Sequence, residues 1–377
     1  MYHILFIKPG PVFAIDSARY NELSKRFGGA IITSSPTKEC LQTHQVGTFD
    51  FYCHSFERDR RFRSTVLFFL RTILLSIKWR FGGRKFDLVV TYDPLKTGFI
   101  GAVCSLILGC RFAPEVNGVY TSPAVYLDDG ARLITKIKQK FYPLLEALVL
   151  WRADGVKFLF PEQGKPFQRI LKGKVIHWFA NRINLEAFLK EEVHDPGNEI
   201  LFVGFPFYLK GVDILIRAFK SIAEEFPGWH LKILGWYPDT TYLYDAIDGH
   251  PQIVFHPPVM HDEMPRHMRE CSIFVLPSRS EAMGRVLVEA MASGKARIGA
   301  CVDGIPTVIK DGEDGLLFRA EDSGDLADKL RILMMDTGLR QRLGAAGRER
   351  AKMEFCTNVY YEKLLDFYQR VITGQNG

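Results

Sequence analysis

Short apolar runs that alternate with stretches of helical spacing limit most strongly what this chain can fold into. The run His3–Ile7 ends in turn formers, residues 16–27 have helical spacing, and further runs follow at Ala30–Thr33, Phe86–Thr91 and Arg111–Val116. Apolar runs of this length, bounded by glycine and proline, are typical of buried strands, and strands that alternate with helices predict a parallel α/β sheet. The N-terminal half is therefore predicted to be an α/β domain.

The alternation breaks once, at the polar and turn-rich residues 190–198, and resumes at Ile200–Val203. Two successive α/β units of similar length fit two Rossmann-like, doubly wound domains. We predict one domain over residues 1–190 and a second over residues 191–355. Residues 358–372 have helical spacing, and the segment 356–377 is predicted to form a C-terminal helix that packs back toward the first domain.

Composition excludes several classes of protein. With 47% hydrophobic residues, and with 29 Phe, 14 Tyr and 5 Trp to bury, the 377-residue chain is globular rather than disordered. Its net charge of +6 is too small to predict a nucleic-acid partner. The best candidate for a spanning helix, Val66–Ile77, is interrupted by Arg71, so none is expected. Seven cysteines without a CxxC pattern, and an N-terminus without a charged leader, predict a cytoplasmic protein with reduced thiols.

The segment Pro277–Gly294 carries the most informative pattern in the chain. It follows the apolar strand Ile273–Leu276, and a loop of small residues leads into a helix that starts near Gly284. Ligands bind at the loops that follow parallel strands, and the unpaired N–H groups of a helix N-terminus suit a diphosphate. The pattern therefore predicts a phosphate-binding loop at this place.

Glu281 and Glu289 lie eight positions apart in this segment. On one helix they would be about 12 Å and about 80° apart, which is too far for a shared proton or for a glycosidase pair. Two separate tasks fit better, because a carboxylate can accept two hydrogen bonds from a vicinal diol of a sugar ring or a ribose. On spacing alone, two solvated surface glutamates fit equally well.

The same segment resembles the E-x7-E signature of retaining glycosyltransferases of the GT-B fold, in particular those of family 4. The resemblance continues through Gly294–Ala300, Asp303–Pro306 and a DGxxGLLF pattern at Asp311–Phe318. It is strong from about residue 200 to 320 and looser in the N-terminal half. It implies two Rossmann-like domains with an interdomain cleft, the first binding an acceptor and the second a nucleotide sugar.

The activity that the resemblance implies is the transfer, with retention, of a hexosyl unit from a UDP- or GDP-sugar to a hydroxyl of a saccharide or lipid-linked acceptor. Such a reaction would serve the synthesis of cell-surface polysaccharide or glycoconjugate. It needs no protein nucleophile if the leaving phosphate helps to deprotonate the acceptor. No D-x-D occurs in the chain and its ten histidines are scattered, so neither a metal nor another cofactor is expected.

The resemblance also implies roles for named residues. Glu281 corresponds to the glutamate that contacts the transferred sugar, and Glu289 to the one that holds the ribose hydroxyls. Lys210 corresponds to the lysine that neutralises the diphosphate, with a surface lysine before a helix as the alternative. The backbone that faces the diphosphate corresponds to Ala282, Met283, Gly284 and Arg285.

Other positions depart from the family pattern or match it loosely. The family has an arginine shortly before its lysine, but Gly204–Pro206 stands there, so Arg279 and Arg285 are candidates for the missing cation unless they are solvated or salt-bridged. Asn117 replaces a histidine that lies near the sugar in the family. Asparagine forms hydrogen bonds but cannot act as a base near neutral pH. Gly10 stands in the place of the family's glycine-rich first loop.

Residues 58–85 interleave arginine and lysine with apolar residues. They fit either a buried helix with charged ends or an amphipathic helix attached to anionic lipid at the inner face of the cytoplasmic membrane. The departures at Asn117 and before Lys210 leave a second hypothesis for function open. It is a non-catalytic, GT-B-like protein that binds sugar nucleotides or acts as a membrane-associated scaffold.

Overall fold

The chain divides into two compact units. The computed structural model describes residues 1–8, 10, 14–35, 45–55, 61–124, 133–190, 197–236 and 240–375. The first unit contains residues 1–118, 140–179 and 361–377, and the second contains residues 119–139 and 180–360. The sequence had placed the corresponding boundaries after residues 190 and 355.

Strands and helices alternate through the described part of the chain up to residue 179. The strands are β1 (Tyr2–Ile7), β2 (Phe27–Ser35), β3 (Gln45–Val46), β4 (Phe49–Ser55), β5 (Leu88–Thr91), β6 (Arg111–Pro114), β7 (Gly155–Phe158) and β8 (Val175–Trp178). The helices are α1 (Ala14–Leu23), α2 (Arg61–Phe81), α3 (Lys96–Leu108), α4 (Leu133–Arg152) and α5 (Gln168–Leu171), with a 3₁₀ turn at Pro161–Phe167.

The same alternation continues after residue 179. The strands are β9 (Glu199–Val203), β10 (His230–Leu234), β11 (Ile253–His256), β12 (Ile273–Leu276), β13 (Ala296–Ala300) and β14 (Leu316–Phe318). The helices are α6 (Glu186–Lys190), α7 (Val212–Lys220), α8 (Thr241–Ile247), α9 (Met264–Glu270), α10 (Arg285–Ala292), α11 (Ile305–Val308), α12 (Ser323–Met335), α13 (Thr337–Glu354) and α14 (Thr357–Thr373), with a 3₁₀ turn at Ala223–Glu225.

Each unit is built around a sheet whose strand order reverses once. The first sheet has the order β3-β4-β2-β1-β5-β6 and is parallel except for β3. The pair β7-β8 extends it, because Glu115 and Lys157 form a parallel bridge beside β6. The second sheet, β11-β10-β9-β12-β13-β14, is parallel throughout. Its order reverses between β9 and β12, and we refer to this place as the switch point.

The burial of β12 and β13 fits the parallel arrangement of the second sheet. All four residues of β12 and all five of β13 are buried, as expected for parallel strands that helices cover on both faces. Helices α12 and α13 are capped locally. Asp322 accepts a hydrogen bond from the N–H of Asp325 at the start of α12, and Asp336 accepts one from Leu339 at the start of α13.

The C-terminal segment 361–377 belongs to the first unit. The ring of Tyr368 on α14 packs edge to face on Phe6 and Phe27, with ring centroids 5.9 and 6.2 Å apart. Its hydroxyl donates a hydrogen bond of 2.6 Å to Oε1 of the buried Glu115. Within the described residues, no helix is both long enough and apolar enough to cross a lipid bilayer.

Candidate functional site

Three loops meet at the carboxyl edge of the second sheet. They follow β9, β12 and β13 and comprise residues 204–211, 277–284 and 301–304. The N–H of Arg279 donates to the carbonyl of Leu209 over 2.9 Å and joins the first two loops. The N–H of Gly304 donates to the carbonyl of Glu281 over 3.0 Å and joins the last two. The first two loops flank the switch point, where doubly wound sheets bind ligands.

Two glycines shape these loops, and Gly211 allows the first two to approach closely. Gly211 has a φ of +69°, and a Cβ at this position would lie 2.0 Å from the carbonyl oxygen of Pro277. Gly284 has a φ of +70°, and a Cβ there would lie 2.9 Å from the side chain of Leu287. Both backbones are in the left-handed region that favours glycine. A larger residue at Gly211 would push the first two loops apart.

Lys210 and Glu281 face each other from the two loops beside the switch point. The ammonium group of Lys210 forms an ion pair with Oε2 of Glu281, and the side chains remain 20% and 13% exposed. The loop of Glu281 is fixed by Asp303, whose Oδ2 accepts hydrogen bonds from the N–H of Glu281 at 3.1 Å and from the Ser280 hydroxyl. A cation and an anion are thus held side by side where a ligand can reach both.

The start of α10 lies directly after this loop. Gly284 is the N-cap residue, and no side chain caps the helix. Ala282 is half-buried and Met283 is buried, so the loop presents mainly its backbone. An uncapped helix start leaves N–H groups and a partial positive charge for an anion.

Glu289 lies one turn into α10 and belongs to a cluster of three side chains. Its carboxylate is only 3% exposed, and Oε1 accepts a hydrogen bond from Nε of Arg285 over 3.0 Å. The same oxygen lies 3.2 Å from Nε2 of His261, and a terminal nitrogen of Arg285 lies 2.9 Å from that histidine nitrogen. Of the alternatives considered for Arg285, the structure shows the salt-bridged one.

Arg279 is also salt-bridged, and its side chain is only 5% exposed. It donates two hydrogen bonds of 2.8 Å to Asp213, pairs with Glu321 at 2.8 Å, and lies 3.9 Å from the ring centroid of Tyr208. Burial would raise the pKa of Asp213, but its hydrogen bonds to Arg279 and Arg217 hold that pKa below its usual value. Arg279 therefore anchors the loops, and this geometry does not favour it as the missing phosphate cation.

Asn117 and Gly10 belong to the first unit. The Nδ2 group of Asn117 donates to the carbonyl of Tyr92 over 3.0 Å, and its Oδ1 accepts from Nζ of Lys157 at 3.1 Å. Gly10 follows β1 with a φ of +81°, and its carbonyl accepts a hydrogen bond from the hydroxyl of Thr33. Asn117 is therefore held in place by both of its amide atoms.

A buried ionic network surrounds Asn117. Burial lowers the pKa of Lys157 to about 8, although the nearby Glu115 opposes this change. Burial alone would raise the pKa of Glu115, but Arg19 and Lys157, with the hydroxyl of Tyr368, keep it below its usual value. Arg19 pairs with Glu115 at 2.6 Å. The network positions Asn117 and does not supply a base at that residue.

The described ranges contain no cluster of metal-binding side chains. No group of three or more His, Cys, Asp or Glu side chains there is arranged to hold a metal ion. The described cysteines are free thiols, and burial raises the pKa of Cys271 to about 12, which keeps it protonated.

The chain is similar in part of its length to known glycosyltransferases. Residues 186–350 match the family model described as Glycosyl transferases group 1. The similarity to this family is therefore shown for a segment that lies within the second unit. It is 36% identical over 180 residues to an uncharacterized glycosyltransferase from Methanocaldococcus jannaschii, and the alignment covers 46% of this chain and 47% of that protein. The chain thus spans about half the length of this curated relative.

Two solved structures resemble this chain over nearly its whole length. Sucrose-phosphate synthase from Thermosynechococcus elongatus has a TM-score of 0.76 at 17% identity, with both chains fully covered. HepE from Anabaena, solved in complex with UDP, has a TM-score of 0.72 at 16% identity and coverage of 97% and 99%. Identities this low establish the fold alone. The predicted GT-B fold class, with two parallel α/β sheets, is confirmed.

The sequence does not indicate two residues of this site. His261 is one of the scattered histidines, but its ring lies beside Glu289 and Arg285. Asp303 was noted only as part of the family pattern, but it fixes the loop of Glu281 with a φ of +44°, which is uncommon for a residue with a side chain. In the sequence, the adjacent Asp303-Gly304 pair after an apolar strand indicates a turn at which Asp303 could fix a loop.

Proposed function

We propose that this chain is a retaining glycosyltransferase that moves a hexosyl unit from a nucleoside-diphosphate sugar to a hydroxyl of a saccharide or lipid-linked acceptor. The observation that carries the proposal is the ion pair between Lys210 and Glu281 beside the switch point of a group 1 domain. HepE, which shares the fold, was solved with UDP. UDP-sugars are therefore the first donors to test.

In this proposal Lys210 and the start of α10 hold the diphosphate. Lys210 exchanges the carboxylate of Glu281 for a phosphate oxygen, and the uncapped helix start adds partial positive charge. Both act where negative charge develops on the leaving group, and stabilisation at that place lowers the barrier to transfer.

The two glutamates hold the rings on either side of the diphosphate. Glu281, released from Lys210, accepts hydrogen bonds from hydroxyls of the transferred sugar. Glu289 accepts hydrogen bonds from the ribose hydroxyls, with Arg285 and His261 keeping its carboxylate in place. Each of these two carboxylates then favours a ligand with a diol over one without it, because a carboxylate that is removed from water and lacks a hydrogen-bond donor is costly.

Transfer then proceeds at one face of the sugar. The bond between the anomeric carbon and the phosphate oxygen breaks, the acceptor oxygen bonds to the same carbon from the same face, and the acceptor proton passes to the leaving phosphate. No protein base or bound metal is part of this step. We expect turnover to persist in EDTA.

We propose that the acceptor is an intermediate in the synthesis of cell-surface polysaccharide or glycoconjugate. A lipid-linked acceptor would lie at a membrane surface, and residues 58–85 are the proposed contact with anionic lipid. Residues 58–60 of this stretch lie outside the described residues, and α2 covers most of the remainder.

A second candidate function is a non-catalytic protein that binds sugar nucleotides. The position of Asn117 favours it, because both amide atoms are engaged by Tyr92 and Lys157 and no base stands in place of the family histidine. Turnover separates the two functions, since a binding protein would be stabilised by a nucleotide without releasing it from a sugar.

The test is donor hydrolysis with a panel of UDP-, GDP- and ADP-sugars. We expect slow release of one nucleoside diphosphate, and we expect Lys210→Ala and Glu281→Ala each to lower it about 100-fold or more. The matched control is Lys310→Ala, an exposed lysine of the same unit. Equal release by Lys210→Ala and the unmodified protein would contradict the proposal. Thermal stabilisation by a nucleotide without any release would support the second candidate.

A further inference from the structure

Helices α2, α3 and α4 lie on one face of the first sheet. They connect β4 to β5, β5 to β6 and β6 to β7, and these crossovers run in the same direction across the sheet. Right-handed crossovers in one direction place their helices on one face. Helix α2 packs on α3, and a Cβ at Gly98 of α3 would lie 2.9 Å from the side chain of Val149 on α4. The three helices are therefore neighbours.

Helix α2 has large apolar residues on its outer side as well as on its inner side. Its exposed apolar residues are Phe62, Val66, Leu67, Leu70, Leu74, Ile77 and Phe81. Its buried side carries Phe68 and Trp79 together with three hydroxyl residues, Ser64, Thr72 and Ser76. The last two donate hydrogen bonds to carbonyls of the same helix. A surface helix of a globular protein normally has polar residues on its outer side, so this row of exposed apolar residues is unusual.

The other two helices continue this apolar surface. On α4, Leu144 is 69% exposed and Trp151 is 66% exposed, and Phe141 and Leu148 complete a row at helical spacing. On α3, which lies between the outer helices, Leu106 is 66% exposed. A row of large apolar side chains on each outer helix marks an interaction surface rather than ordinary scattered exposure.

The charges on this face all have the same sign. Helices α2 and α3 contain no Asp or Glu, and the single acidic residue of α4, Glu146, is buried. The exposed charged side chains on the described part of α2 and on the part of α4 in the first unit are Arg63, Arg71, Lys78, Arg80 and Lys140. A face that combines exposed apolar residues with exposed cations is complementary to an anionic lipid surface.

We propose that this α2–α4 face binds the surface of an anionic phospholipid bilayer by inserting its apolar rows among the lipid headgroups. Arginine and lysine side chains extend along the apolar rows and contact the lipid phosphates. The contact is wider than residues 58–85, because α4 supplies a second row and insertion of apolar side chains adds to the attraction between charges. It does not depend on the donor chemistry of the second unit.

The test is flotation of the full-length protein with vesicles of phosphatidylcholine alone and of phosphatidylcholine mixed with an equal amount of phosphatidylglycerol. We expect flotation with the mixed vesicles. Two paired variants, Leu74→Ser with Phe81→Ser and Leu144→Ser with Trp151→Ser, should each weaken it about tenfold or more, because each removes two large apolar groups from the contact. High salt should weaken binding of the unmodified protein only in part.

The matched control is Met335→Ser with Met353→Ser, which replaces two exposed apolar residues of the second unit. This pair should float as the unmodified protein does, and all variants should retain the same melting temperature and donor hydrolysis without vesicles. Absence of flotation, or flotation that only the α2 pair weakens, would overturn the proposal. So would a self-associated form, without vesicle binding, that both pairs dissociate.

Discussion

The ammonium group of Lys210 and the carboxylate of Glu281 form an ion pair although the two residues are 71 positions apart in the chain. They meet because β9 and β12 are neighbours in the sheet and because the loops that follow these strands are hydrogen-bonded to each other. In the proposed reaction this pair must separate, since the lysine would bind phosphate and the glutamate would bind sugar. The ion pair therefore competes with the nucleotide.

Replacing Glu281 by glutamine should separate binding from transfer. Glu281→Gln removes an anion that repels a diphosphate and occupies Lys210, so we expect a nucleoside diphosphate to bind about threefold to tenfold more tightly. Sugar transfer should fall, because a neutral amide accepts hydrogen bonds from sugar hydroxyls more weakly. Calorimetric titration with UDP, GDP and ADP measures the affinity. Weaker binding by Glu281→Gln would contradict this competition.

Replacing Arg279 should damage the fold. Arg279→Ala would leave the buried carboxylate of Asp213 without its two-pronged partner, and we expect the free energy of unfolding to fall by about 3 kcal/mol. Arg217→Ala removes the exposed partner of the same carboxylate and should cost less than about 1 kcal/mol. Urea denaturation of both variants measures the difference. Equal losses would show that Arg279 does not anchor the loops.

Glu289 can be tested through the nucleotide instead of the sugar. If it holds the ribose, the unmodified protein should bind UDP about 100-fold more tightly than 2′,3′-dideoxy-UDP, because two hydrogen bonds to a carboxylate are lost. Glu289→Ala should bind both nucleotides with similar affinity. Lys310→Ala should keep the full preference. A preference that survives in Glu289→Ala would place the ribose elsewhere.

Glu146 should make stability depend on pH. Burial raises its pKa from 4.5 to about 8, so the folded protein holds a proton that the unfolded chain has lost between these values. The free energy of unfolding therefore falls as the pH rises through this window. Glu146→Gln does not titrate, and it should match the unmodified protein near pH 4 and exceed its stability by on the order of 5 kcal/mol near pH 8.5. Parallel denaturation curves at both pH values check this difference.

The sequence predicts the second sheet well. The strand at Ile273–Leu276 is a fully buried apolar run, and the motif with fixed spacing that follows it contains Glu281. Lys210 lies outside this motif, and only the resemblance to the family indicates it. The predicted strand at Ala30–Thr33 lies inside the longer β2, because glycine and serine at its ends hide the remainder. A local sequence pattern is sufficient to predict a strand when all residues of that strand are buried.

Partners that are distant in the chain could not be predicted. Arg279 was a candidate for phosphate because nothing near it in the sequence shows that Asp213, 66 residues earlier, would hold it. The contact between His261 and Glu289 could not be predicted either, because 28 positions separate the two residues in the chain. The burial that lowers the pKa of Lys157 is likewise a property of the assembled sheet.

The way α14 completes the first unit has a practical consequence for dissecting this protein. A fragment that stops at residue 190 would lack Tyr368, which would expose the rings of Phe6 and Phe27 and deprive Glu115 of a hydrogen-bond donor. Such a truncation should be insoluble when expressed alone, and adding residues 361–377 as a separate peptide should rescue it.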